Sequence, residues 1–146
     1  MSLNNVFNIS GSGMNAQSVR LNTTASNLAN AQSASSSIDE VYRGRHPVFA
    51  AAHRDAMNVD FDTLDDGLPA AAGVQVLGVV ESDAPLQRRY EPHHPESDEE
   101  GYVYYPNVNV VEEMSNMISA SRSFQVNVEV MNSAKQMVQR VLTLGQ

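Results

Sequence analysis

The residue types best suited to chemistry lie in one acidic stretch that contains two adjacent histidines. His93 and His94 stand among five carboxylates that could in principle help to bind a divalent ion: Glu91, Glu96, Asp98, Glu99 and Glu100. Adjacent histidines point in different directions on most backbones, and this spacing matches neither a helical HExxH pattern nor another closed ligand set. The sequence therefore favours a solvated turn fixed by Pro92 and Pro95, and it assigns no metal ligand.

A second candidate is the serine in Gly11-Ser12-Gly13, which superficially resembles a nucleophile loop. The GxSxG spacing is missing, and the tripeptide falls inside a segment with helical periodicity, where small residues are better explained as close helix contacts. Paired carboxylates, a phosphate loop and a catalytic triad are also absent from the sequence. We therefore expect no catalytic residue, no cofactor and no enzymatic activity.

The charges of the chain are unevenly distributed along its 146 residues, which carry a net charge of −8. Residues 1–31 contain no Asp or Glu, residues 32–105 contain fourteen of the 17 acids, and residues 106–146 balance three acids with three basic residues. An acidic chain without a basic patch is repelled by phosphate backbones, so nucleic acid is not expected as a partner. The absence of cysteine excludes disulfides and thiolate metal sites.

The amino terminus, Met1 to Ile9, lacks the basic and apolar regions of a cleaved signal peptide, and no later run reaches membrane-spanning length. We therefore expect no direct membrane insertion. Any export would need a route that cleaves no leader.

Residues 1–31 repeat at seven residues and predict an amino-terminal helix. Large apolar residues form one heptad row, Phe7, Met14, Leu21 and Leu28, and small residues form a second row that would allow a close helix approach, Gly11, Ser18 and Ala25. The remaining positions are mostly Asn, Ser, Thr and Gln, which are poor or middling helix formers. We expect this segment to depend on packing for its stability and to be largely disordered when free.

Residues 106–146 predict a longer carboxy-terminal helix, from about Val110 to Leu144. Its main heptad row is Val110, Met117, Phe124, Met131 and Val138, and a further apolar row about 100° round the helix is Val126, Val130, Ala134, Met137, Val141 and Leu144. Asn109 after Pro106 can cap the first turn, and Glu112 completes a capping box. One partner helix cannot cover both rows.

The pattern of residues 32–105 changes to short extended runs. Gly73 to Glu81 and Leu86 to Tyr90 read as a hairpin joined by Ser82-Asp83-Ala84-Pro85, and Tyr42 to Ala50 and Tyr102 to Tyr105 are weaker strand candidates. The segment from Ala51 to Ala72 is predicted to be an exposed or flexible loop. The sequence thus predicts an α+β fold, in which two terminal helices form a coiled-coil-like α-domain and carry a small acidic β-rich insert between them.

Two stretches resemble the flagellar axial proteins, the family of rod and hook subunits. Ser26-Asn27-Leu28-Ala29-Asn30-Ala31 resembles the amino-terminal signature of that family, and the carboxy-terminal signature is resembled from Gly101 to Gln146, including Pro106-Asn107-Val108-Asn109. Within the family, the sequence of this carboxy-terminal stretch is most similar to that of the proximal rod subunits.

The resemblance implies a structural subunit that is exported unfolded by the flagellar type III apparatus, without cleavage, and added to a helical tube. The implied location is the periplasm-spanning rod of the basal body, where the tube transmits motor torque. The implied partners are other copies of the chain and neighbouring rod subunits of the FlgB, FlgF, FlgG and FliE types. On this hypothesis the Phe7-to-Leu28 and Val110-to-Val138 rows pair within the chain, and the Val126-to-Leu144 row packs on neighbouring subunits.

Two alternatives remain open at this level. The first is another structural role, as a distal-rod or hook-type subunit or an unrelated coiled-coil adhesin. The second is a small metal-dependent hydrolase of the cell wall that would use His93 and His94.

Overall fold

A computed structural model of the chain describes residues 3–53 and 71–144. The elements in chain order are α1 (Leu3–Asn30), β1 (Arg45–His53), β2 (Ala71–Glu81), β3 (Gln87–Tyr90), β4 (Tyr102–Tyr105) and α2 (Val110–Leu144). The two long helices pack together, and two small antiparallel sheets lie between them in sequence. This confirms the predicted α+β fold.

The long helix α2 has the bounds that the sequence predicts. The Asn109 side-chain oxygen accepts hydrogen bonds from the backbone N–H groups of Val111 (3.1 Å) and Glu112 (3.4 Å), which have no partner within the helix itself. Pro106 is fully buried just before this cap. The local capping signal therefore fixes where α2 begins.

The two helices run antiparallel. Arg20 Nη2 donates to Asn116 Oδ1 at 2.8 Å, Gly13 faces the Asn127 side chain, and Gly11 faces Met131. The residue numbers of these contacts decrease along α1 as they increase along α2, which only an antiparallel pair allows.

The first sheet is a long hairpin of β1 and β2, paired from Arg45↔Glu81 to His53↔Ala71. The predicted strand at Tyr42 to Ala50 therefore begins and ends three residues later than expected. The predicted loop from Ala51 to Ala72 is wrong at both ends, because residues 51–53 and 71–72 belong to the paired strands; residues 54–70 lie outside the described part of the chain.

The predicted hairpin between Gly73–Glu81 and Leu86–Tyr90 is wrong. The second sheet pairs β3 with β4, from Gln87↔Tyr105 to Tyr90↔Tyr102, and not with β2. The residues Ser82-Asp83-Ala84-Pro85 therefore connect two separate sheets and do not form a hairpin turn. Instead, Asn107 Nδ2 donates to the carbonyls of Ser82 (3.1 Å) and Ala84 (2.8 Å) and holds this connection.

The apolar core is small. The buried hydrophobic residues of the described chain are Ala16, Val41, Val103, Val108, Ala120 and Ala134, so most of the large apolar side chains keep some exposure. Neither described helix has the length and hydropathy that crossing a membrane requires.

Candidate functional site: the outer face of α2 and an amide junction

The residues predicted to pair the helices are only partly covered in the single chain. All but one are half-buried, and Val110 is exposed at the start of α2; the half-buried set is Phe7, Met14, Leu21, Leu28, Met117, Phe124, Met131 and Val138. The most deeply buried helix positions are instead small or polar: Ser10, Ala16, Thr23, Thr24, Asn27, Glu113, Ala120 and Ala134. Burial of small side chains removes little apolar surface from water, so this helix pair gains little hydrophobic stabilisation.

The predicted row of small residues on α1 does not form one continuous contact. A Cβ on Gly11 would lie 4.0 Å from Met131 Cε, an ordinary contact, but Ala25 is exposed. The close approach occurs two residues from Gly11, at Gly13, where a Cβ would lie 3.0 Å from Asn127 Oδ1. The predicted row therefore contacts α2 at Gly11 and is open at Ala25, and the tightest approach falls at Gly13, outside the row.

The second apolar row of α2 lies on the outside. The exposed fractions of its described side chains are 57% for Val126, 43% for Val130, 53% for Met137 and 65% for Val141, while Ala134 is buried. The side chain of Leu144 lies outside the described residues. Further apolar residues of α2 are exposed, including Val111, Met114 and Ile118. The heptad pattern places Met114 beside the pairing row, where the structure leaves it exposed, and gives Val111 and Ile118 no outward direction.

The Ser12 hydroxyl has a structural role. It donates to the Ile9 carbonyl at 2.8 Å and accepts the Val74 backbone N–H at 3.1 Å, which joins α1 to β2. Gly73 next to it has φ +134°, and a Cβ there would collide with Ser12 Oγ. The hydroxyl thus donates within α1 and accepts from β2, and the second bond holds the hairpin against α1.

Asn27 of the amino-terminal signature is buried and binds the start of β1. Its Nδ2 donates to the Arg45 carbonyl at 2.8 Å, and its Oδ1 accepts the Arg45 N–H at 2.9 Å and the Tyr42 hydroxyl at 2.8 Å. The amide thus substitutes for a neighbouring strand at Arg45. Every strong hydrogen-bonding group of the buried side chain has a partner, as burial requires.

Asn107 of the carboxy-terminal signature binds Gly44, the residue directly before β1. Its Oδ1 accepts the Gly44 N–H at 2.8 Å, while its Nδ2 contacts the Ser82 and Ala84 carbonyls described above. We name Asn27, Asn107, Gly44 and Arg45 the amide junction. It joins the end of α1, the start of α2 and both strands of the first hairpin.

The other signature residues lie around this junction. Leu28 is half-buried, Ala29 is exposed, and Asn30 Nδ2 donates to the Ser26 carbonyl at 2.8 Å. Pro106 and Val108 are buried, and Asn109 caps α2.

The stretch with His93 and His94 forms the connection between β3 and β4. His94 Nδ1 accepts the Glu96 N–H at 3.1 Å, and Asp98 Oδ1 accepts the N–H groups of Glu100 and Tyr102 at 3.0 and 2.7 Å. Within the described ranges, no three His, Asp or Glu side chains converge as a metal site would need. The residues act as turn-forming acceptors.

Aromatic and charged side chains line the second sheet. Arg88 lies 3.6 Å from the centroid of Tyr102, Arg89 lies 4.8 Å from that of Tyr105, and the Tyr105 hydroxyl donates to Glu91 at 3.0 Å. The hydrogen bond to Glu91 raises the pKa of Tyr105 above its ordinary value of 10.0, since the carboxylate favours the protonated phenol; Arg89 acts in the opposite direction.

Comparison with known proteins gives a consistent match along the chain. Residues 7–32 match the family described as flagella basal body rod protein, and residues 99–144 match the family described as flagellar basal body rod FlgEFG protein C-terminal. The chain is 47% identical over 148 residues to the flagellar basal-body rod protein FlgC of Escherichia coli O6:H1 and to that of Salmonella typhimurium, with 100% of each chain covered. The FlgC of Borreliella burgdorferi is 36% identical over 153 residues, which cover 100% of this chain and 99% of that protein.

Proposed function

The chain belongs to the FlgC family of flagellar basal-body rod proteins, a family of structural subunits and not of enzymes, and from this premise we propose that the outer face of α2 joins subunits into the helical tube of the proximal rod. Full-length identity to FlgC proteins favours this role over a hook subunit, an adhesin or a cell-wall hydrolase. The observation that carries the proposal is the exposed apolar row of α2: Val126, Val130, Met137 and Val141.

The exposure of this row supports a role in contact with other subunits. Each large apolar side chain that moves from water into an interface contributes roughly 1.5–3 kcal/mol if it becomes fully buried. Contiguous apolar surface on a soluble chain is typical of an interaction site. A heterologous contact that does not close on itself generates a helical tube when it is repeated.

The partly covered rows of α1 and α2 suit a helix pair within one subunit. We propose that residues 1–31 and 106–146 form the α-domain and that residues 32–105 form an insert outside it. The hydrogen bond from Arg20 to Asn116 and the half-burial of Leu21 and Phe124 support the pairing. Because the buried positions are small or polar, neighbouring subunits contribute the remaining stabilisation.

The specific partners follow from the rod assignment. We propose contacts with other copies of the chain and with subunits of the FlgB, FlgF, FlgG and FliE types, and passage through the type III export apparatus in an unfolded state. The weakly apolar seam between the helices supports such passage, since a marginal helix pair unfolds at low cost. Torque would cross the periplasm through many simultaneous helix contacts.

A pair of substitutions on α2 tests the proposal. Val130→Asp places a charge in the outer row, and Asn132→Asp places the same charge about 200° round the helix, at an exposed polar position. We expect Val130→Asp to abolish incorporation into isolated basal bodies and swimming, with normal expression, and Asn132→Asp to retain both. Normal rods and swimming with Val130→Asp would overturn the proposed role of this face.

A further inference from the structure

The first hairpin, β1 with β2, has no core of its own. None of the side chains described along it is buried, and six of its large apolar residues are exposed: Val48, Phe49, Val74, Leu77, Val79 and Val80. A two-stranded hairpin by itself is marginally stable at best in water. The order of these strands therefore depends on what they contact outside the hairpin.

Helix α1 is the element that supports the hairpin along its length. Among the described elements, β1 and β2 pack on each other and on α1, and neither strand packs on α2, β3 or β4. The Asn107 side chain binds Gly44 and Ser82, which lie just outside the two strands, so it holds only the base of the hairpin. The order of the remainder follows from its contact with α1.

Two side chains of α1 hold the hairpin at two separated points. Asn27 binds the N–H and the carbonyl of Arg45, and Ser12 accepts the N–H of Val74. Because the two α1 residues are fifteen positions apart, they lie about 22 Å apart along the helix axis and about 60° apart round it. On β1, Arg45 and Ala51, the residue paired with Val74, are six positions apart, or about 20 Å in a strand. The two spans match.

This match requires a helical α1. In an extended backbone, fifteen residues would span roughly 50 Å, more than twice the distance between the bound points of the hairpin. A disordered segment has no fixed span, so it would have to be ordered, at a cost in conformational entropy, before both points could bind. Ser12 adds a local requirement, since its hydroxyl donates to the Ile9 carbonyl one turn earlier at 2.8 Å while its oxygen accepts from Val74.

The second sheet does not depend on α1 in this way. Neither β3 nor β4 packs on a described helix, and β4 is held by two backbone hydrogen bonds between Tyr104 and Ser35, at 3.0 and 3.1 Å. Ser35 lies after the end of α1, and Val103 of β4 is fully buried. The second sheet is therefore an internal reference for the structure of the insert.

We propose that the first hairpin docks on α1 as one unit, and only when α1 is helical from Ser12 to Asn27. Unfolding of this stretch releases β1 and β2 together and leaves β3 paired with β4. The hairpin thus couples the shape of the insert to the order of the amino-terminal helix. One consequence rests on the proposed function: where neighbouring subunits order α1 in the rod, the hairpin takes its position in the same step.

Hydrogen exchange followed by mass spectrometry tests the coupling in the free full chain and in isolated basal bodies. We expect the amides of α1, β1 and β2 to be protected together or unprotected together in each sample. Asn22 is exposed and lies between the two attachment points, and Gly there disfavours a helix relative to Ala. Asn22→Gly should therefore exchange about fivefold faster than Asn22→Ala in both α1 and the hairpin, whereas the rates in β3 and β4 should agree within about twofold.

Removal of one attachment point tests whether the hairpin moves as one unit. Ser12→Ala should raise the exchange rate of the amides near Arg45 at least threefold, although these lie about 20 Å along the hairpin from Val74. Ser33→Ala is the matched control, since it removes an exposed hydroxyl that donates to the Asn30 carbonyl after the end of α1. This variant should leave the exchange of the hairpin unchanged.

Three results would overturn the inference. The first is a hairpin that stays protected while α1 exchanges freely, and the second is an effect of Ser12→Ala that is confined to the neighbourhood of Val74. The third is an equal acceleration of β3 and β4, because the insert would then unfold as a whole. The proposed function fails separately, through normal assembly of Val130→Asp, since none of these exchange rates depends on the outer face of α2.

Discussion

Asn27 binds the backbone of Arg45 at two points, through its Nδ2 to the Arg45 carbonyl at 2.8 Å and through its Oδ1 to the Arg45 N–H at 2.9 Å. The two residues are 18 positions apart, on different secondary structure elements. This pair fixes the first residue of β1 on the last turn of α1. With Asn107 bound to Gly44, it sets the position of the hairpin relative to both helices.

Replacement of Asn27 by Ala should lower the free energy of unfolding by about 2 kcal/mol, because the N–H and carbonyl of Arg45 lose their hydrogen bonds to this buried side chain. Chemical denaturation of the full chain, followed by circular dichroism, measures the change. Asn30→Ala is the matched control, since the Asn30 side chain donates to the Ser26 carbonyl one turn earlier in the same helix, and its effect should stay within about 0.5 kcal/mol. Equal losses in the two variants would contradict the role of the amide junction.

Gly73→Ala should destabilise the chain by about 1–3 kcal/mol, since φ +134° is strained for any residue with a Cβ and that Cβ would collide with Ser12. A Cβ added at Gly78 on the same strand would have no atom within 4 Å, so Gly78→Ala should change the free energy of unfolding by less than about 0.5 kcal/mol. Thermal unfolding of both variants under one condition gives the comparison. A neutral Gly73→Ala would show that β2 does not need this close approach to α1.

Met131→Asp should weaken the helix pair by about 2–3 kcal/mol, because it places a charge at a half-buried position that faces Gly11. The basic residue of α1, Arg20, is nine residues away from Gly11 along that helix. Denaturation midpoints should fall for this variant and remain unchanged for Asn132→Asp, which is exposed. A stable Met131→Asp chain that still assembles would place Met131 outside the seam that the heptad pattern predicts.

The phenol of Tyr105 should titrate above pH 10, since its pKa is raised chiefly by the hydrogen bond to Glu91. A pKa that is higher in the folded chain than in the unfolded chain contributes stability below the unfolded value and loses it as the pH rises through the folded value. The contribution is therefore lost in the alkaline range above pH 10. Glu91→Ala should shift the tyrosinate absorbance curve toward lower pH, and no shift, relative to a Tyr105→Phe reference, would contradict the assignment.

The sequence by itself determined the helices and the fold class. The Asn109 cap and the heptad rows specify α2 through interactions within a few residues of each other, so the bounds Val110–Leu144 could be predicted without a structure. The same local patterns carry the resemblance to flagellar rod proteins at both ends of the chain. Most strands were also recognisable, because their residue types indicate extended backbone.

Only the tertiary structure decided which strands pair, which face of α2 remains open and what the signature asparagines bind. Asn107 accepts the Gly44 N–H across 63 positions, and β2 pairs with β1 and not with β3, which follows it after five residues. The physical reason is that a strand edge or an amide can bond any backbone of suitable geometry. The choice among such partners depends on how the two helices bring distant segments together, and residue spacing does not contain that information.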